Sequence, residues 1–336
     1  MKAFIRNCGH ATLSLAPTAL LQRVTRSSCM PYYHMVSEVL PPYFGGDYPV
    51  ATPRQFEKQI DFFLKHWHPI TLHELLTSIR ATGSVPEKAF HLTFDDGYRE
   101  VYDLIFPILQ RKGVPATTFL CTNSLDNRAW MWENRRALLL YALRGATSAE
   151  RGEVARIMDT TPEMVDQRLS RLTYHERGLM DQVADRLQVD DQLMLKQKAP
   201  YLSIAQIQRM MDAGYTFGSH SLDHPPFQKI DTAEQLHQIT ASIQVLQDTL
   251  CIEHPVFAFP YGEFSLPGSL FETLFREGRV EACFGTRGLL LDEYPFVIQR
   301  LWMETPHFSA RRTVNGELAQ KLIRQWVSND KVTRRA

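Results

Sequence analysis

Three short stretches of the 336-residue chain carry side chains able to do chemistry. LTFDDGY (92–98) sets Asp95 beside Asp96 at the end of an apolar run. Adjacent carboxylates repel, and a DDG at a strand end more often makes a turn with a helix cap than a site. GSHSLDHPPF (218–227) places His220 and His224 four residues apart. Two imidazoles at that spacing can converge on one ion, either from a helical turn or from a loop leaving a strand. The HExxH pattern of metalloproteases needs glutamate after the first histidine, and Ser221 stands there instead. FAFPYGEF (257–264) ends an apolar run with Pro260, Tyr261 and Gly262. That turn could aim a backbone N–H and a phenol into a cleft, but taken alone a packed tyrosine in a tight turn is the better explanation. Each stretch alone is a weak signal.

The elements that must position these residues follow from the apolar patterning. MPYYHMV (30–36), AFHLTFDD (89–96), PATTFLC (115–121) and YTFGSH (215–220) are rich in aromatic and β-branched residues, as buried strands are. Between them lie helical patterns: TPRQFEKQIDFFLKHW (52–67) with Thr52 as N-cap, VYDLIFPILQRKG (101–113), SIAQIQRMMDAG (203–214), AEQLHQITASIQVLQDTL (233–250) and SLFETLFREG (269–278). Strands alternating with helices imply βαβ units and a parallel sheet or barrel, where ligands bind at the carboxyl ends of strands. Asp95, Asp96 and His220 fall at such ends. Residues 123–200 interrupt the alternation with charged, helically spaced sequence and no convincing strand. This segment reads equally as an insertion over the barrel mouth and as a packed connector without chemistry.

At 44% hydrophobic and 22% charged, the chain can bury a large core as one α/β domain or two smaller ones. Lysine plus arginine equals aspartate plus glutamate, 37 each, so no whole-molecule field attracts nucleic acid or anionic lipid. Five scattered cysteines without a CxxC argue against a disulfide scaffold or a cysteine metal site. No apolar run approaches the roughly 20 residues of a spanning helix, so no stable membrane insertion is expected. The basic, mildly apolar start around ATLSLAPTALL reads as a leading helix in preference to a secretory signal. The basic end, KVTRRA, reads as a frayed solvated tail.

Taken in order, LTFDDGY, HSLDHP and FPYG resemble the polysaccharide deacetylase superfamily, the metal-dependent carbohydrate esterases of NodB type. KGVPATTFL (112–120) and AGYTFGSHS (213–221) share the likeness. YYHMVSE (32–38) resembles the opening of the branch whose motif order is permuted, and IQRLWME (298–304) its closing strand. The resemblance implies an α/β fold, a distorted (β/α) TIM-like barrel of seven strands with a helical insertion. The organisation expected is a leading helix over 1–28, a barrel over 29–122 and 201–310, the insertion over 123–200, and a C-terminal helix with a basic tail over 311–336.

The same resemblance implies the site. Asp96, His220 and His224 would hold one divalent metal ion, zinc foremost, with cobalt, nickel, manganese and iron compatible with the donor set. Asp95 would act as base toward the attacking water, the N–H of Tyr261 would stabilise the oxyanion, and His34 would protonate the departing amine. Much of the family carries an arginine two residues before the Pro-Tyr turn to orient the catalytic aspartate. This chain has Ala258 there, and Arg300 is the candidate replacement. Tyr98, Pro260 and Trp302 are candidate substrate contacts. Trp130 and Trp132 could stack on a sugar, although core packing is the commoner role for all four aromatics, Tyr98 and Trp302 included. Asp223 reads either as a solvated loop acid or as a partner of a ligand histidine. His254 and His307 carry no assigned role.

The expected activity is removal of N-acetyl groups from an amino-sugar polysaccharide, lipopolysaccharide or glycan precursor, with the N-acetylated glycan as partner. A catalytically silent carbohydrate-binding barrel and a metal-dependent amidohydrolase of small amides are the alternatives. Cysteine usage and the weak leader point to the cytoplasm, with action on a precursor at the inner membrane face, ahead of an exported form.

Overall fold

The β-branched and aromatic runs form one parallel sheet in a computed structural model of the chain, which describes residues 16–45, 49–305, 309–327 and 331–334. Its strands are β1 (Pro31–Tyr33), β2 (Leu92–Phe94), β3 (Ala116–Leu120), β4 (Thr216–Ser219), β5 (Val256–Ala258), β6 (Ala282–Gly285), β7 (Val297–Gln299) and β8 (Leu301–Trp302). They neighbour one another in the order β7-β6-β5-β4-β3-β2-β1-β8, and every pair is parallel.

The two edge strands are halves of a single run, 297–302, broken at Arg300. On one side the amide of Arg300 donates to the carbonyl of Gly285 at 3.2 Å, and on the other Leu301 donates to Met30 at 2.8 Å. One chain segment thus satisfies both edges, and the sheet closes into a barrel of seven passes. Closure removes the exposed edges that an open sheet would leave. It also sets Arg300 at the seam.

Helices cover the outside of the barrel, starting with α1 (Thr18–Thr25), α2 (Pro53–His66), α3 (Leu72–Thr82) and α4 (Phe106–Lys112). Thr52 caps α2 in a reciprocal box with Gln55, and Thr71 does the same for α3 with Glu74. A π-helical turn over Val101–Ile105 leads into α4, which stops at Gly113 with φ +63°. Of the leading helix expected over 1–28, the structure shows α1. Residues 1–15 lie outside the described residues.

Residues 123–200 contain no strand. After a 3₁₀ segment at Thr122–Asn127 come α5 (Trp132–Leu143), α6 (Ser148–Ile157), α7 (Val165–Ser170), α8 (Leu179–Arg186) and α9 (Asp191–Lys198). These helices bury a core of their own, including Leu139, Leu143, Val154, Leu169 and Val183. The barrel resumes with α10 (Ile204–Asp212), α11 (Thr232–Leu250) and α12 (Gly268–Arg276), and α13 (Ala310–Val327) follows the last strand.

The tail corrects an expectation. Lys331–Val332 pairs with Leu291–Asp292, and the Arg334 guanidinium, 3% exposed, meets Asp292 at 2.6 Å and lies 3.9 Å over the Phe271 ring. Buried anions at Asp292 and Glu263 draw the cation in, so the end is docked as far as Arg334 and does not fray. Among the described residues no helix is long and apolar enough to cross a membrane.

Candidate active site

The acid pair is split by backbone geometry. β2 is wholly buried, and directly after it the amide of Gly97 donates to the carbonyl of Asp95 at 2.9 Å. This bond closes a three-residue turn around Asp96, whose φ is +72°, the rare and strained hand of the γ-turn. Gly97 is itself at φ +72°, and a Cβ there would lie 2.7 Å from Leu120 Cδ2, so glycine is required on two counts. The sharp reversal lets neighbouring carboxylates serve different partners. Asp95 meets Arg300, and Asp96 meets the histidines.

His220 follows β4 directly, and a loop braced by hydroxyls brings His224 back to it. Ser221 Oγ accepts from the His224 amide at 2.9 Å, and Gln238 of α11 accepts from the Leu222 amide at 3.0 Å. Ser221, His224 and Tyr261 have φ of +84°, +60° and +58°, so with Asp96 four residues of the site sit in the left-handed region. Such strain persists where the surrounding packing over-determines it.

Asp96 Oδ1 lies 3.5 Å from His220 Nε2 and 3.3 Å from His224 Nε2. Bonds of about 2.0–2.1 Å at tetrahedral angles put donor atoms about 3.4 Å apart, which these separations match. Both histidines spend their other nitrogen on the protein. Nδ1 of His220 faces the Ala258 carbonyl at 2.8 Å, and Nδ1 of His224 faces Glu133 at 2.6 Å. Each Nε2 is thereby oriented as a donor, while the buried Asp96 Oδ1 has no hydrogen-bond partner. The residues present therefore fit a divalent cation. Burial holds the His220 imidazole down to about 4. Burial pulls His224 the same way, but Glu133 and Asp96 hold it up to about 9, so a cation bound there displaces a proton.

Glu133 belongs to α5, the first helix of the insertion, and sequence reasoning did not assign it. Beside it, the Trp132 indole donates to the His224 carbonyl at 3.0 Å, and the Tyr174 hydroxyl donates to Asp223 at 2.8 Å. The insertion thus braces the loop that carries His224. Glu133→Ala should weaken zinc binding at the Asp96 site about 10–100-fold, read by competition with a chelator. Unchanged affinity would reduce Glu133 to a packing role.

Arg300, 0% exposed, grips Asp95 with two parallel bonds, Nη1 to Oδ1 at 2.7 Å and Nη2 to Oδ2 at 2.8 Å. It also donates to Thr93 Oγ1 at 3.1 Å and to the Gly285 carbonyl at 3.2 Å. Burial works to raise the Asp95 carboxyl, but Arg300 and then His220 hold it down to about 2. Each Asp95 oxygen accepts one guanidinium bond and keeps a second lone pair.

His34 follows β1, and its Nδ1 lies 2.6 Å from Glu304 Oε2. The second oxygen of Glu304 accepts from the amides of His34 at 3.0 Å and Met35 at 2.9 Å. Burial would lower the His34 imidazole, yet Glu304, with Asp96 and Asp95 beyond it, holds it up to about 9. Glu304 ends the IQRLWME stretch, and only its place after the closing strand hinted at a role. Tyr261 is 47% exposed, with its ring 5.0 Å from that of His224. Among the described residues nothing accepts its amide N–H.

The remaining candidates divide. Pro260 is buried in the turn before Tyr261, and Trp302 is partly exposed, its indole donating to Glu304 at 3.3 Å. Tyr98 is a correction. It is 3% exposed, its hydroxyl accepts from Asn134 at 2.8 Å, and its ring stacks on Tyr201, so it is core between barrel and insertion and lines no cleft. Asp223 is partly exposed, and no bond joins it to either ligand histidine. It accepts from Gln238 at 2.8 Å as well as from Tyr174. Trp132 is packed in the insertion core, and with Trp130 it borders a cavity of about 410 Å³ that Arg135, Arg177 and Asp223 also line. His307 lies outside the described residues.

Residues 82–267 match the family model described as polysaccharide deacetylase. Among curated proteins, a poly-beta-1,6-N-acetyl-D-glucosamine N-deacetylase of Staphylococcus epidermidis is 33% identical over 78 residues, 23% of this chain and 27% of that protein. Its namesake in Escherichia coli K12 is 42% identical over 50 residues, 15% of this chain and 7% of that protein. The matched regions thus span about a quarter or less of those relatives' lengths. Among solved structures, the Streptococcus pyogenes deacetylase PplD in complex with acetate superposes with a TM-score of 0.55 at 14% identity, covering 87% of this chain and 98% of that one. IcaB from Ammonifex degensii gives 0.54 at 19% identity, covering 88% and 97%. At these identities the two structures speak for the barrel fold alone.

Proposed function

Since the chain belongs to the polysaccharide deacetylase family, we propose that it is a metal-dependent hydrolase that cleaves N-acetyl groups from a polymer of N-acetylated amino sugar, releasing acetate and leaving the free amine. The observation that carries this reading is the convergence of Asp96, His220 and His224 beside a second carboxylate that ligates nothing and is clamped by Arg300. A binding module has no use for a strained turn that sets a free base next to a ligand. The names of the curated relatives favour β-1,6-linked poly-N-acetylglucosamine as the substrate.

A divalent cation held by Asp96, His220 and His224, with zinc the ion proposed, supplies Lewis acidity that polarises a carbonyl and brings the pKa of water to about 7. Everything else falls to the chain. Asp95, kept ionised by Arg300, takes the proton from the attacking water. The Tyr261 amide donates to the oxygen of the acetyl carbonyl as it gains charge, a contribution typically worth about 10²–10³ in rate. His34, held protonated by Glu304, gives its proton to the sugar nitrogen, because an amine anion is too basic to leave unassisted.

The direct test is acetate release by the zinc-loaded protein from poly-β-1,6-N-acetylglucosamine and from a panel of other N-acetylated glycans. Release from the first supports the reading. Bound zinc without acetate from any glycan would overturn it.

The proposed acid makes a pH prediction. The groups facing His34 are Glu304, Asp95 and Asp96, and their charge lifts its pKa from the ordinary 6.5 to about 9. His34 therefore keeps its proton above its ordinary range, and kcat/KM of the wild type should fall on the alkaline side of 6.5, at a pH below 9 because a cation on Asp96 offsets that carboxylate's pull. Glu304→Gln keeps the oxygen that receives the His34 and Met35 amides but removes the charge, so the alkaline limb should move down toward 6.5. A limb that stays in place assigns it to another group.

A further inference from the structure

A second cluster of metal-binding donors lies at the opposite end of the barrel from the acid pair. Glu253 and His254 precede β5, Glu281 precedes β6, and His73 stands in the first turn of α3. His254 and His73 are 181 residues apart in sequence, yet His73 Nδ1 is 3.3 Å from His254 Nε2, and their ring centroids are 5.4 Å apart. Glu253 Oε1 is 3.8 Å from the same Nε2. One donor atom from each of the three falls within 4.8 Å of the others.

The arrangement has the marks of a built site. His254 is nearly buried, and its Nδ1 faces Glu281 Oε2 at 2.8 Å. A carboxylate there takes the Nδ1 proton and leaves the Nε2 lone pair pointing outward at His73, the arrangement typical of histidines that bind metals. Glu281 cannot easily turn to the ion itself, because Arg80 holds the same oxygen at 2.6 Å. Glu253, on the solvent side, is left to supply the anionic donor. The supporting elements share one packed cluster, with Leu72, Leu75 and Leu76 of α3 against Val256 of β5 and Ala282 of β6. His73 and His254 are therefore mounted beside packed elements, while Glu253 reaches in from the exposed loop. The 3.3 Å between the two imidazole nitrogens matches the edge of about 3.4 Å expected between ligands of a tetrahedral ion.

We propose that His73, His254 and Glu253 form a second divalent-metal site of the zinc class, with Glu281 orienting His254, which clips α3 to the loop before β5. Two imidazoles and one carboxylate suit zinc, nickel or copper over magnesium or calcium. The site stands apart from the Asp96 centre, and its existence does not depend on the hydrolysis proposed above. By mass action it adds stability when the ion is in excess.

Zinc chloride titrated into metal-stripped full-length protein at neutral pH tests this, with calorimetry and elemental analysis reading the stoichiometry. The wild type should take up two ions per chain, and His73→Ala and Glu253→Gln one each. Asp96→Asn should also take up one, and Asp96→Asn with His73→Ala none. Both His73 and Glu253 are exposed, so their variants should fold, and acetate release with zinc in excess should be unchanged in them. Excess zinc should raise Tm in Asp96→Asn but not once His73→Ala is added. A wild type that binds a single ion, or a His73→Ala variant that still binds two, would overturn the proposal and leave the two histidines as a hydrogen-bonded pair.

Discussion

Asp95→Asn is expected to lower kcat by about 10²–10⁴, the range of a positioned general base, while the zinc at the Asp96 site stays bound. The asymmetry follows from the turn. Asp95 aims both oxygens at Arg300, whereas the free oxygen of Asp96 lies within 3.5 Å of both histidine Nε2 atoms. Asparagine at 95 keeps the size and still accepts from the guanidinium through its carbonyl, but it cannot take a proton. Asparagine at 96 removes the anionic donor, so Asp96→Asn should lose turnover and the ion of that site together. Acetate release and elemental analysis on the same preparations separate the two cases. If Asp95→Asn loses zinc as completely as Asp96→Asn, the division of labour between the acids is wrong. A smaller second effect is expected in Asp95→Asn, because Arg300 keeps its buried charge without a counter-ion. Tm should fall, and the rate must be measured well below it.

The sequence made the strand ends legible because Asp95, Asp96 and His220 follow short, largely buried runs of aromatic and β-branched residues. β2 before Asp95 and β4 before His220 are of this kind, and parallel topology gathers such ends at one face of the barrel. Arg300 was legible only through the resemblance, which places IQRLWME as the closing strand and expects an arginine where this chain has Ala258. What stayed hidden were partners supplied from elsewhere in the chain. Glu133 reaches His224 across 91 residues and Glu304 reaches His34 across 270, and no local period encodes such a meeting. Glu133 looked like an ordinary first-turn acid of a helix. Tyr98 misled in the opposite direction. It was a candidate for the cleft, but Asn134 of the insertion and Tyr201 just after it pack over its ring. α3 and β6 were absent from the sequence expectations. For α3 a signal existed in the Thr71–Glu74 capping box. β6 is four residues, ACFG, without the β-branched residues that marked β2 and β3.

Closing the barrel with one run broken at Arg300 ties the proposed base Asp95 to the barrel seam, and this makes Arg300→Ala the substitution with the widest expected consequences. The guanidinium lies at the seam where β7 hands over to β8, wholly buried, and it is sandwiched near Tyr32 at 4.5 Å and Phe119 at 5.3 Å. Removing it leaves Asp95 as an unpaired buried charge, which typically costs about 3–5 kcal/mol. The carboxylate can escape that penalty by rising in pKa and holding a proton, and a protonated Asp95 is no base. Turnover should therefore fall by about 10² or more, with zinc content at the Asp96 site nearly unchanged. Arg300→Lys tests whether charge alone suffices. One ammonium cannot make the two parallel bonds, and losing a charge-assisted bond of about 1.5–3 kcal/mol predicts an intermediate rate. Pairing Arg300→Met with Asp95→Asn separates stability from chemistry. With both charges gone, Tm should recover relative to Arg300→Met alone, as replacement of whole buried ion pairs by neutral groups often allows, while activity stays at the Asp95→Asn level. If Arg300→Ala instead loses metal in step with rate, the guanidinium acts by holding the barrel seam and the Asp96 turn together, and its contact with Asp95 is incidental to proton transfer.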